Sequence, residues 1–146
     1  MFRYLVLISI LIVSNYSFSY ESEDKLKVVV IGKLAKFINW ESNDQEQFVI
    51  TVLENPFDDL LEKTYSDRQI NDKNIHLKYI NNIDELDFTH ILYIPPKSHE
   101  QLKNILDQVK NKNILTISDT RGFAEKGGII QVYFASQKIK LKINRD

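Results

Sequence analysis

The sequence contains no cysteine, only four glycines and three prolines, a single tryptophan and a single methionine beyond which sulfur is absent. Without cysteine there can be no disulfide, no thiol nucleophile and no thiolate metal site. Glycine this scarce leaves no Gly-rich phosphate loop: neither GxGxxG nor a Walker motif is present, and there is no GxSxG elbow. Excess charge is missing too. Nineteen basic residues stand against twenty acidic ones, a net charge of −1, whereas a nucleic-acid binder shows a basic excess or stripe. The three histidines, His76, His90 and His99, lack the i, i+4 spacing of a helical metal site. The many acidic residues are scattered rather than paired as a catalytic dyad. Ser98 and His99 are adjacent at a helix start and point in different directions, so with Asp119 they do not make a triad. No catalytic, cofactor-binding or metal-ligating residue is assigned, and no cofactor is expected.

What the chain does have begins at its start. Met1-Phe2-Arg3 carries one positive charge, Leu5–Val13 consists of apolar or small residues, and Ser17 and Ser19 form a small-x-small pair. These are the three parts of a cleavable export signal. The apolar stretch is much shorter than the roughly 20 residues that a membrane-crossing helix requires. An uncleaved anchor or a buried N-terminal strand are the other readings. The expectation is a signal peptide over 1–19, a single domain over 20–146, a periplasmic location and no stable membrane insertion after cleavage.

Hydrophobic periodicity predicts the elements. Residues 24–40 are predicted as a helix with Leu26, Val29/Val30, Leu34 and Phe37/Ile38 on its apolar side. Gln47–Glu54 predicts a strand. Asn55-Pro56-Phe57-Asp58-Asp59 predicts a helix start carrying Phe57, Leu60 and Leu61. A polar loop over 67–74 precedes a strand at Ile75–Ile80, and Asn82-Ile83-Asp84-Glu85 resembles a capping box. His90–Ile94 predicts a strand stopped by Pro95-Pro96, and Ser98 to Gln101 a second capping box opening a helix with Leu102, Ile105, Leu106 and Val109 on one face. Strands follow at Ile114–Ile117, Ile129–Ala135 and Ile139–Ile143. The predicted class is α/β: one three-layer domain, a mostly parallel sheet with helices on both faces, and a C-terminal antiparallel hairpin at the edge. Lys138, Lys140 and Lys142 alternate with apolar residues, as suits a guarded edge strand.

Two segments stand out as candidate sites. The first is the end of the opening helix, with Lys33, Phe37 and Trp40 as candidate partner-binding residues; Trp40 is either core packing or an interface anchor. The second runs from Asp119 to Gly128 and holds three of the four glycines. Asp119, Gly122, Phe123, Gly127 and Gly128 there form either a shaped turn or an anion-binding nest of amides. The turn follows the carboxyl end of a strand, where open α/β sheets bind ligands.

These same segments carry a resemblance. KVVVIGKLAKFINW (27–40) resembles the opening helix motif of the YfiR-like periplasmic proteins, with Lys27, Phe37 and Trp40 at matching positions, Leu34 where an aromatic is common and Glu41 in place of a proline. FVITVLENPFDDLLE (48–62), HILYIP (90–95) and ILTISDTRGFAEKGGII (114–130) are similar to further family segments, the last being the most specific. The family pattern continues past the last strand into a C-terminal helix, whereas this sequence stops at Asn144-Arg145-Asp146. The resemblance implies an exported, non-enzymatic regulator that binds the periplasmic domain of an inner-membrane sensor or diguanylate cyclase and restrains cyclic-di-GMP synthesis, with a homodimer possible. A periplasmic binder of small ligands, either a cell-wall fragment or an anion held at the Gly127-Gly128 turn, is the alternative.

Overall fold

The computed structural model describes residues 19–145. The apolar segment of the expected export signal lies outside the described residues. A first helix, α1 (Ser19–Phe37), is followed by β1 (Phe48–Leu53), α2 (Leu60–Tyr65), a short β2 (Gln69–Ile70) and β3 (Lys73–Ile80). Then come β4 (Ile91–Tyr93), α3 (Leu102–Val109), β5 (Leu115–Ser118), β6 (Ile130–Ala135) and β7 (Lys138–Ile143). The strands form one mixed, mostly parallel sheet in the order β2-β3-β1-β4-β5-β6-β7. β1, β3, β4, β5 and β6 run parallel; β2 and β7 pair antiparallel at the two edges.

The centre of the sheet follows from composition. β1 is a run of β-branched and apolar residues, all six buried, and it pairs with β3 on one side and β4 on the other. A strand buried on both faces reads as continuous hydrophobicity. Pleating sends alternate side chains into two apolar clusters. Phe48, Ile50, Val52, Ile91, Tyr93 and Ile117 join residues of α1 and α2 in the first. Leu53, Leu92 and Ile94 join α3 and Phe123 in the second. α3 presents Leu102, Ile105, Leu106 and Val109 to that second cluster, the spacing of one helical face.

Four local expectations need correction. The buried face of α1 is Val28, Ile31, Gly32 and Ala35; of the predicted side, Val30, Leu34 and Ile38 pack against the core beside it, while Leu26, Val29 and Phe37 are exposed. The helix is apolar almost all round its middle, so small residues that permit close approach decide which side faces the sheet. Second, the helix after β1 starts at Leu60 rather than Pro56. The Asn55 side chain takes the Phe57 amide at 3.0 Å and donates to the Asp58 carbonyl at 2.7 Å, making an Asx-type turn where the first helical turn would be. Third, the polar loop over 67–74 contains β2, turned onto β3 by Asn71 and Asp72, both at positive φ. Fourth, Ser98 is buried and spends its hydroxyl on Glu54, so 3₁₀ geometry over Pro96–Gln101 without a side-chain cap replaces the expected box. The box at Asn82 and Glu85 does form, with Asn82 Oδ1 accepting from the Asp84 amide and Glu85 Oε1 from the Asn82 amide.

α1 is fastened to α2 by one hydroxyl. Tyr65 Oη accepts from the Gly32 amide at 3.0 Å and donates to the Val28 carbonyl, standing between the two backbone groups of an i, i−4 pair. Gly32 has no Cβ because the Tyr65 ring occupies that space.

The turn from β6 to β7 is less well matched. Ser136 and Gln137 sit at φ values of 53° and 60°, the left-handed region that a two-residue hairpin turn demands and that Asn-Gly satisfies best. Replacing them together, Ser136→Asn with Gln137→Gly, should raise stability by about 1 kcal/mol, a gain of about 4 °C in Tm by scanning calorimetry. An unchanged or lowered Tm would show that this turn is not strained.

Candidate functional site

The motif residues fall into two clusters at opposite ends of α1. Towards its N-terminal part, Lys27 points to the end of β5, with its ammonium 2.7 Å from Asp119 and 3.5 Å from Asp24. Asp119 also accepts from the Tyr93 hydroxyl at 2.5 Å. Burial opposes the Lys27 charge, but the hydrogen bonds and charges of Asp119 and Asp24 outweigh it and its pKa is raised. Burial, then the Asp119 charge, pushes the Tyr93 phenol far up, so it stays a donor. This is an ion pair with its hydrogen bonds satisfied, a tether between helix and sheet.

Beyond the other end of α1, Trp40 folds back. Its indole N–H donates to the Ala35 carbonyl at 2.7 Å, and its ring meets Phe48 and His90 edge-on, with centroids 5.1 and 5.7 Å apart. His90 stacks on Phe48 at 4.3 Å and receives the Val49 amide on Nδ1 at 3.0 Å. Trp40 therefore packs against the sheet. Phe37 does the opposite: it ends α1 and is 84% exposed.

His90 supplies a pH test. Burial first, and the Lys73 charge second, lower its pKa below the ordinary 6.5. Protonation at Nδ1 would set an N–H against the Val49 N–H. The neutral ring therefore contributes stability that is present above about pH 6.5, the unfolded value, and is lost as pH falls through the lower folded value. His90→Asn keeps a short acceptor without the titration. The Tm advantage of wild type over His90→Asn should shrink between pH 7.5 and 5.5 in thermal melts; an advantage independent of pH would refute this account.

The Asp119–Gly128 segment wraps the fully buried Phe123. Gly122 and Gly127 have φ values of 78° and 102°, and the Phe123 ring fills the space where a Gly128 side chain would be. The amides of Phe123, Lys126, Gly127 and Gly128 donate to carbonyls within the turn, those of Ala124 and Ile129 to Gln131 and Thr116 side chains. These amides are committed to shaping the turn around Phe123.

Lys33 stands elsewhere, on the rim of a groove between α1 and the β2–β3 edge, a cavity of about 180 Å³. Val29, Tyr65, Ile70 and Ile75 line it, with Lys33, Lys36 and Arg68 among its polar residues. Nothing in the sequence marks Arg68 as part of this groove, because it lies in a polar loop, far along the chain from Lys36; the packing of Tyr65 on Gly32 brings them together. Among the described residues no cluster of three or more His, Cys, Asp or Glu could hold a metal ion, and no helix is long and apolar enough to cross a membrane.

Comparison with known proteins adds one finding. A family model described as YfiR/HmsC-like matches residues 24–146. Among curated proteins, none matches the chain.

Proposed function

This chain belongs to the YfiR/HmsC-like family, and from that premise we propose that it is an exported, non-enzymatic regulator acting in the periplasm. It binds the periplasmic domain of an inner-membrane signalling protein, a diguanylate cyclase, and restrains cyclic-di-GMP synthesis. The family match over 24–146 is the observation that carries this reading. The outer side of α1 is compatible with it: Leu26, Val29 and Phe37 are exposed apolar residues on one helix, and an aromatic so placed can anchor a partner. Binding restrains the cyclase only to the extent that it favours the cyclase's inactive state over its active one.

The test joins a cellular and a biochemical measurement. Deleting the gene should raise cellular cyclic-di-GMP, and the full-length protein should retain an inner-membrane cyclase on co-purification. Phe37→Ala should weaken that retention at least tenfold while leaving Tm within about 2 °C, because an exposed side chain contributes little to folding. Unchanged cyclic-di-GMP on deletion, with no membrane protein retained, would sink the proposal. Trp40→Ala is the poorer probe, since that ring is part of the packing against Phe48 and His90.

A further inference from the structure

We infer that the groove between α1 and the β2–β3 edge takes an acidic peptide segment of a protein partner, with one apolar side chain of that segment seated in the cavity. The inference rests on the regulator reading, and it specifies the chemistry of the partner's contact.

Charge carries the argument. The chain as a whole is balanced, at net −1, yet the groove is lined by Lys33, Lys36 and Arg68 with no carboxylate among its lining residues. All three cations are exposed. The ion pairs formed by the described lysines elsewhere, such as Lys63–Asp59 and Lys103–Asp107, do not include them. Three cations around a surface without an anion attract one and repel a basic partner.

Size selects the kind of anion. The cavity, at about 180 Å³, falls below the roughly 300–1,000 Å³ of sites that enclose a small molecule. It suits a single apolar side chain, the form that a protein anchor takes. Its walls are apolar where the anchor would sit: Ile70 is buried, Ile75 half-buried, and Val29 stands at the mouth. Val29, Lys33 and Lys36 recur at helical spacing on one face of α1, and Phe37 follows at its end. The surface is thus elongated along the helix, the shape of a peptide track.

The walls are also fixed before anything binds. The Tyr65 hydroxyl ties α2 to Gly32 and Val28 of α1, so little ordering cost accompanies docking.

The probe is a fluorescein-labelled peptide of three glutamates, leucine, phenylalanine and three further glutamates, titrated with the mature protein at low salt and followed by anisotropy. Binding should be at least tenfold tighter than for the counterpart carrying lysines, and should weaken steeply with added salt. Charge reversal at the groove, Lys33→Glu with Lys36→Glu and Arg68→Glu, should abolish acidic-peptide binding at unchanged Tm. Reversal of Lys110, Lys112 and Lys126, which line a different surface, should leave it intact. Val29→Gln, which keeps every cation, should weaken binding several-fold through the apolar wall. No binding, binding that survives groove reversal, or phosphatidylglycerol vesicles bound through the same three cations would each overturn the inference. The two readings separate in the cell. If deletion raises cyclic-di-GMP and the groove-reversed protein still restrains it, the regulator stands and the groove falls. If deletion changes nothing, the regulator falls and the peptide titration alone judges the groove.

Discussion

Gly128→Ala should cost the domain about 3 kcal/mol, a fall of roughly 12 °C in Tm. The cause is purely steric. A Cβ at position 128 would lie well inside the van der Waals radius of the Phe123 ring, and that ring is fully buried. Gly127→Ala is the comparison. There nothing lies within 4 Å of an added Cβ, so only the φ of 102° opposes the substitution, at about 1 kcal/mol. The pair of glycines thus has two different reasons to be glycine, one conformational and one spatial. A double-mutant cycle separates them: Phe123→Leu should recover part of the loss in Gly128→Ala and none in Gly127→Ala. Equal losses at 127 and 128, or no coupling to Phe123, would contradict the packing described.

Lys27→Met is the second large effect, expected at about 2 kcal/mol. The substitution keeps most of the apolar stem and removes the charge. It leaves Asp119, only 15% exposed, holding the Tyr93 hydroxyl without its counter-ion. The pair is not wholly enclosed, so the loss falls short of the roughly 3–5 kcal/mol seen when one partner of a fully buried pair is removed. Asp119→Asn should lose a similar amount, and the double variant clearly less than the two losses summed, because each single change strands a charge. Additive losses in urea titrations would show that the two residues are not coupled.

Strands were the most legible part of the fold. Runs such as FVITVL and ILY have no helical periodicity to compete with and are short enough to span a sheet. Boundaries were lost where a side chain bonded locally instead of capping: Asn55 closed a turn and Ser98 went to Glu54. The face of α1 was only partly legible: Leu34 and Ile38 pack against the core as their spacing suggests, but VVVIG offers apolar residues on every side and the fit of Tyr65 against Gly32 selects among them. The candidate site was legible in pieces. Lys33 and Phe37 are exposed, but Trp40, grouped with them by spacing, turns into the sheet. Lys27 and Asp119 stand in separate motif segments, and no spacing rule says that they touch. Helix periodicity relates neighbours on one element; it carries no information about which loop residue, such as Arg68, will arrive beside them.

The hydroxyl between Gly32 and Val28 has a consequence for measurement. In most helices an interior amide is protected by its own helix and exchanges when that helix frays or the whole domain opens. The Gly32 proton is held also by a side chain from a different element, so its exchange with deuterium responds to whether α1 and α2 are together. One resolved amide signal therefore serves as a clock for the opening of a single joint, and whatever bridges the two helices must slow it.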